Sequence, residues 1–205
     1  LERVLHRECV PAMESVGIHG EISADEVRNA LSGLKEADLS SFEGRFVRIP
    51  VRYEAGEDLE SAASALGLSP DALAAAHRSQ EYLAFCLGFQ PGFAYLGDLP
   101  PQIAGLPRLS SPRLRVPAGS VGITGVQTGV YPDSSPGGWN LIGRCPMKLA
   151  ERDPWRFALR AGDWVRFVRI DASTETELEG RIIGVSSCVE LNADLGEGFS
   201  SDDSL

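Results

Sequence analysis

Apolar and polar positions alternate with a period of two in RFVRIPVRY, residues 45–53, with Val47, Ile49, Val51 and Tyr53 on one face and Phe46, Arg48, Pro50 and Arg52 on the other. The pattern predicts a strand with one wet face, and Pro50, which has no N–H for a ladder, places it near a sheet edge. Upstream, Leu1, Val4 and Leu5 share a helical face that Pro11 limits. A second helix is marked by Ser23 and Glu26, a capping box ahead of Val27, Ala30, Leu31 and Leu34. Between them ECVPAMESVGIHG shows no convincing alternation, so no strand is expected there. After residue 53 come two short helices, one capped by Asp58 with Leu59, Ala62, Ala63 and Leu66 inward, the other opened by Ser69 and Pro70. They predict a helical hairpin that stops near His77. YLAFCLGF, residues 82–89, and RAGDWVRFVRI, residues 160–170, read as strands, the first of them buried.

Between residues 88 and 143 lie 11 of the 22 glycines and 8 of the 13 prolines. That density forbids long helices and suits short strands joined by tight turns. The last 35 residues open with DASTETELEG, an acidic linker by composition. The 205 residues, 43% hydrophobic, suffice for one large or two small domains. No apolar run approaches the roughly 20 residues of a membrane span, and the start has no secretory layout, which predicts a cytoplasmic protein without a membrane partner. Cys9, Cys86, Cys145 and Cys188 are scattered, and His6, His19 and His77 form no ligand spacing with them, so free thiols and no metal are expected. The net charge of -10 is a property of the tail: from Asp171 on there are nine acids and one base, before it 20 acids and 18 bases. A nearly neutral body without a basic stripe argues against nucleic acid.

SVGITGVQTGVYPDSSPGGWNLIGR, residues 120–144, holds six glycines and one charged pair, Asp133 and Arg144. The plainest use of such glycines is turns with positive φ and bulges. A phosphate cradle is a second use, but no Lys-Ser or Lys-Thr follows a GxxxxG and no strand-GxGxxG-helix unit occurs. The third is a concave small-molecule site walled by main chain. Gln127, Thr128, Tyr131, Ser134, Ser135 and Asn140 would supply neutral donors and acceptors there, and Arg108, Arg113 and Arg144 a fork for a carboxylate. No GxSxG elbow accompanies them, so the set describes recognition more than chemistry.

LGFQPGFAYLGDLP, then PRLSSPRLRVPAGSVGITGVQTGVYPDSSPGGWNLIGRCPMKL, resembles the 5-oxoprolinase B-subunit family, also known as allophanate hydrolase subunit 1 and as the sporulation-kinase-inhibitor family. It is related to subdomains C and D of the urea carboxylase carboxyltransferase domain. The resemblance runs from about residue 45 to residue 170 and implies an α+β protein, a small and incomplete N-terminal α/β domain followed by a cyclophilin-like β-barrel. With it the chain divides into residues 1–53, the N-terminal remnant, 54–170, the barrel with its helical hairpin, and 171–205. The implied activity is that of one component of an enzyme. With the C subunit, of the allophanate hydrolase subunit 2 type, and the A subunit, it opens the lactam of 5-oxoproline at the expense of ATP, although this chain carries no nucleotide motif. Two other implied roles stay open, a binding module that inhibits a histidine kinase and a carboxyltransferase component.

Carried over residue by residue, the resemblance implies His77, Gln127 and Tyr131 as catalytic and Arg108, Arg113, Thr128 and Ser135 as substrate-binding. In this reading Gln127 and Tyr131 orient a lactam or amide and Arg113 holds a carboxylate, with His77 in the same pocket. Phe89, Phe93 and Tyr95 could serve as core or as an exposed groove, and as a contiguous exposed patch they would favour the binding module. Two departures stand out. Family members begin with additional strands that ECVPAMESVGIHG does not supply, and CVELNADLGEGF, residues 188–199, resembles the opening of the A subunit, with Asn192, Asp194 and Glu197 matching and Glu190 in place of Asp.

Overall fold

A computed structural model describes residues 5–12, 15–33 and 44–181. The helix expected at residues 1–5 lies largely outside them, and the tail that resembles the A subunit lies wholly outside. The chain divides into two units between Gly44 and Arg45.

In the first unit β1 (Cys9–Pro11) and β2 (Val16–Ile18) pair antiparallel, Cys9 opposite Ile18 and Pro11 opposite Val16. The absence of strands expected in this stretch is therefore corrected. Three-residue strands are too short for an alternation to register, and cross-strand bonding makes them. Helix α1 (Ala24–Ser32) has the expected capping box: Ser23 Oγ accepts from the Glu26 N–H at 3.2 Å, and Glu26 Oε2 accepts from the Ser23 N–H at 2.9 Å.

The second unit opens with β3 (Phe46–Val51), a 3-10 turn (Tyr53–Ala55), α2 (Leu59–Ala65) and α3 (Pro70–His77). The strands β4 (Tyr82–Leu87), β5 (Ala94–Gly97), β6 (Arg113–Val116), β7 (Ser120–Thr124), β8 (Gln127–Val130), β9 (Ser135–Gly137) and β10 (Asn140–Arg144) follow. The hairpin of β11 (Ala150–Arg152) and β12 (Trp155–Phe157), then β13 (Trp164–Arg169) and α4 (Ala172–Leu178), complete it. Seven strands form one sheet in the order β10-β7-β8-β5-β4-β13-β3, and β6 pairs with β9 in a separate ribbon. Val47, Ile49, Val51 and Tyr53 are buried, as the alternation in residues 45–53 predicts, but the opposite face is not wet: Phe46, Arg48 and Arg52 are half-buried and Pro50 is buried. Strand β3 sits at the sheet edge, as Pro50 requires, but it pairs in parallel with β13, so residues 45–53 belong to the barrel rather than to the N-terminal part.

The two edge strands meet. Arg52 N–H donates to the Arg144 carbonyl at 2.9 Å and Arg144 N–H returns a bond to Arg52 at 3.0 Å, nearly closing the sheet into a barrel and leaving little free edge. The seam tolerates no side chain at Gly56, where a Cβ would lie 2.2 Å from the Ile142 carbonyl carbon. Inside are Val121, Ile123, Val130, Ile142, Leu96, Val165 and Phe167, with α2 and α3 contributing Ala62, Ala63, Leu73 and Ala74 to the same core. At the barrel entrance Arg45 donates to both carboxylate oxygens of buried Asp163, at 3.1 and 2.5 Å.

The acidic linker expected from residue 171 is instead, over Ala172–Leu178, a helix. Asp171 Oδ1 accepts from the Thr174 N–H at 2.8 Å, which caps it. Glu175 is buried against the seam, paired with Arg52 at 2.6 Å and Arg144 at 2.8 Å. A polar composition reads as linker only while its carboxylates lack partners, and the two arginines come from positions far away in sequence. Among the described residues no helix is long and apolar enough to cross a membrane.

Candidate functional site

Five aromatic rings collect on one side of the barrel. Phe93, Tyr131 and Trp139 are buried with Val116 and Leu141 in a cluster separate from the main core, and Tyr95 packs against it. Phe93 stands edge-to-face to Tyr95 at 5.0 Å, to Tyr131 at 5.4 Å and to Trp139 at 5.5 Å between centroids, the arrangement ring quadrupoles favour. Phe89 continues the array outward, 5.5 Å from Phe93 and 6.1 Å from Tyr131.

The glycines make this cluster possible. A Cβ on Gly122 would lie 3.1 Å from the Trp139 Cβ, one on Gly129 3.0 Å from the Phe93 ring, and one on Gly137 2.6 Å from the Tyr131 hydroxyl. Bare strands thus leave room for rings. A hollow is present beside the cluster, walled mainly by aromatic rings rather than by the expected main chain and polar side chains, with main chain at Gly137 and Gly138. Phe89, Phe93, Tyr95, Arg108, Tyr131, Gly137, Gly138 and Trp139 enclose about 110 Å³. That is a small cavity, on the scale of a few waters.

Burial raises the pKa of Tyr131, opposed by a backbone hydrogen bond from Trp139 and by the Arg108 charge. Burial likewise raises Tyr95, with Cys86 adding to the rise and Arg108 opposing it. Both phenols therefore keep their protons at neutral pH and can donate. Arg108 is exposed at the rim and, among the described residues, has no carboxylate partner. The lining offers hydrogen-bond donors, a cation and ring faces, and no thiol, hydroxymethyl, imidazole or carboxylate.

Of the residues expected at the site, Tyr131 and Arg108 meet here. Gln127 is half-buried at the other end of β8, opposite Gly97, roughly 13 Å along an extended chain from Tyr131. Arg113 is tied to Asp58 at 2.6 Å and Glu57 at 3.3 Å, while the second Asp58 oxygen accepts from the Leu141 N–H at 2.7 Å. Asp58 stands at the N-terminus of α2 as expected, but its side chain makes no cap bond, because these partners claim both oxygens. Ser135 Oγ, on β9, is buried and finds no hydrogen-bond partner among the described residues. Asn140 Nδ2 donates to the Pro107 carbonyl at 2.9 Å, Ser134 Oγ accepts from Arg115 at 3.1 Å, and Arg144 serves the seam.

His77 and Thr128 lie elsewhere, wholly enclosed. Thr128 Oγ1 donates to the Gly122 carbonyl at 3.0 Å and is 2.8 Å from His77 Nε2, and His77 Nδ1 is 2.8 Å from the Tyr53 hydroxyl. Since the threonine proton goes to Gly122, Nε2 carries the imidazole proton and Nδ1 accepts from Tyr53. Burial lowers the His77 pKa to about 3, so it stays neutral. Of the four residues expected to share a pocket, His77 and Gln127 are not brought to Tyr131, whereas Arg113, opposite Gly137 in the β6–β9 ribbon, is near enough for its charge to act on the Tyr131 phenol but is tied to Asp58. His77 pins α3 to the barrel with no path to solvent.

Phe89, Phe93 and Tyr95 are the site residues that side-chain chemistry could not rank. Their signal is the aromatic spacing of GFQPGFAY, which is equally that of a core strand. A larger, open groove of about 490 Å³ is lined by Arg52, Glu54, Arg78, Arg169 and Asp171. Two of its three arginines already face carboxylates: Arg169 pairs with Glu54 and with Asp71, and Arg52 with Glu175. The aromatic cavity is the better site despite its smaller size.

Comparison with known proteins gives a consistent set of likenesses. Residues 3–159 match the family described as carboxyltransferase domain, subdomain C and D. The chain is 44% identical over 170 residues to the 5-oxoprolinase B subunit of Escherichia coli O157:H7, covering 78% of this chain and 77% of that one. It is 53% identical over 131 residues to the 5-oxoprolinase B subunit of Bacillus subtilis (strain 168), covering 62% of this chain and 53% of the other, about half that relative's length. Among solved structures, that of TTHA0988 superimposes with a TM-score of 0.69 at 40% identity, over 83% of this chain and 36% of that one.

Proposed function

Because the chain belongs to the carboxyltransferase domain family, subdomains C and D, we propose that it acts as the B subunit of an ATP-dependent 5-oxoprolinase, holding a compact lactam while partner subunits supply the hydrolytic chemistry. The observation that carries this reading is the aromatic cavity with the Arg108 guanidinium at its mouth. A five-membered lactam carboxylate has a flat, partly apolar body, an amide oxygen and one negative charge. Rings of Phe93, Trp139 and Phe89 suit the body, the protonated phenols of Tyr131 and Tyr95 suit the carbonyl oxygen, and Arg108 suits the carboxylate. Absence of a nucleophile or general base from this lining fits a component that binds and orients, and that depends on the C and A subunits for turnover.

The sequence holds no glycine-rich phosphate loop ahead of a helix, and in the open groove Arg169 and Arg52 already face carboxylates, so the nucleotide is assigned to a partner subunit. The nearly closed seven-stranded barrel is the element that the cyclophilin-like reading describes. Tyr131 and Arg108 carry the site. Ser135, with its unpartnered hydroxyl two residues from Gly137, adds a further donor near it, whereas His77, Thr128 and Arg113 act through the scaffold. The kinase-inhibiting alternative gains nothing from the aromatic residues, because Phe93 is buried and Tyr95 half-buried, leaving Phe89 as the exposed one of the three.

Co-expression of this chain with the C and A subunits, followed by ATP-dependent release of glutamate from 5-oxoproline, tests the reading. Turnover should require this chain. Equal turnover with the chain omitted would refute it.

A further inference from the structure

We propose that Phe89 is a specificity-determining wall of the aromatic cavity, its ring held over the mouth by a strained turn so that it covers the apolar face of a compact cyclic carboxylate. The inference rests on the reading of the cavity as the lactam's site. Residues 88–93 connect β4 to β5 through two turns in succession. Gln90 N–H donates to the Gly88 carbonyl at 2.7 Å, closing a three-residue turn around Phe89, whose φ is +66°. This is the rare, strained sense of that turn. A second turn follows at once: Phe93 N–H donates to the Gln90 carbonyl at 3.0 Å across Pro91 and Gly92, with Gly92 at φ +85°. Gly88 N–H to the Phe93 carbonyl, 3.2 Å, shuts the hairpin.

At Gly92 the positive φ is met by the residue that tolerates it. At Phe89 it is met by a bulky aromatic, which this region of backbone disfavours. The ring gains little shelter in return, since Phe89 is 58% exposed. Strain and exposed hydrocarbon both weigh against the fold of the isolated chain, and glycine or asparagine would make the turn more easily. What the ring does have is position. It stands edge-on to Phe93 and Tyr131 and lines the cavity together with Arg108. A ligand whose carboxylate meets Arg108 would have its hydrocarbon edge against Phe89, which removes both from water. An outlier of this kind at a cavity rim is where functional strain is expected.

The test uses the chain assembled with its partner subunits, 5-oxo-L-proline as the probe, and three variants, Phe89→Ala, Phe89→Gly and Arg108→Met. Both Phe89 variants should raise KM about tenfold, with the loss falling on KM rather than kcat. The isolated Phe89→Gly variant should melt about 2–4 °C above Phe89→Ala, the reverse of the usual order of glycine and alanine, because both lose the ring and glycine alone relieves the turn. An unchanged KM in the Phe89 variants alongside a raised KM in Arg108→Met would overturn the role of Phe89 and leave the cavity reading standing. An unchanged KM in all three would overturn both. Failure of the Phe89 variants to co-purify with the partner subunits, with KM unaffected in whatever complex forms, would make the ring an inter-subunit contact and overturn the inference. So would melting of Phe89→Gly below Phe89→Ala.

Discussion

Acid should weaken this protein through one enclosed imidazole. His77 is fully buried, held between the Tyr53 hydroxyl and Thr128 at 2.8 Å on each side, and burial lowers its pKa from 6.5 to about 3. A base lowered in this way takes up its proton only when the chain unfolds. Between pH 3 and 6.5 the unfolded state therefore binds more protons than the folded state, and stability rises with pH across that window. The contribution is complete above about pH 6.5 and is lost progressively as the pH falls toward 3. At pH 5, some 1.5 units below the unfolded value, the loss is about 2 kcal/mol at 1.36 kcal/mol per unit. Urea unfolding at pH 7.5 and pH 5.0 measures it, with the slope m checked for constancy. His77→Gln is the control, since its amide can donate to Thr128 and accept from Tyr53 but does not titrate. It should be somewhat less stable at pH 7.5 and should lose about 2 kcal/mol less than the parent on going to pH 5.0. Equal acid losses in parent and variant would refute the argument, because the loss would then come from other groups.

Other predictions concern the scaffold and the cavity. Asp58→Ala removes the shared acceptor of Arg113 and of the Leu141 N–H, leaving that backbone donor unpaired and the half-buried guanidinium with Glu57 as its remaining carboxylate, and should cost about 2–3 kcal/mol in urea unfolding. Gly56→Ala puts a Cβ 2.2 Å from the Ile142 carbonyl carbon and should cost about 2–3 kcal/mol by forcing the barrel seam apart, read as a lowered Tm. Tyr131→Phe leaves the Trp139 backbone N–H without its phenol acceptor at the cavity wall, and should cost about 1–2 kcal/mol while raising the KM of the assembled complex for 5-oxoproline. Arg108→Met, at an exposed rim position, should leave the Tm within about 1–2 °C of the parent and raise that KM.

Much of the local architecture was legible in the chain itself. The capping box at Ser23, the alternation of Val47, Ile49 and Val51, the Ser69-Pro70 helix start and the turn-dense stretch of residues 88–143 each state a local preference, and local preference is what neighbouring side chains and φ limits can express. The motifs from residue 87 to residue 149 were long enough to indicate the family. Locally weak signals failed where tertiary partners made up the difference, as in the three-residue strands β1 and β2 and in α4, whose Glu175 finds Arg52 and Arg144.

The site divides the same way. That Tyr131, Arg108 and a run of glycines carry ligand-binding chemistry could be read from residue types. Which polar residues face the cavity could not, because His77, Thr128, Arg113 and Asn140 are chemically equal candidates until their partners are known. Tyr53 and Gly122 take up the His77–Thr128 pair, Asp58 takes Arg113, and the Pro107 carbonyl takes Asn140. A side chain's function is set by what lies within about 3 Å of its polar atoms and by whether water reaches them. For these residues both were decided by strand pairings that bring together positions tens of residues apart. Residue order was enough to establish the kinds of element and the chemical inventory, whereas the closing of the sheet settled which of that inventory is spent on structure and which is left facing the cavity.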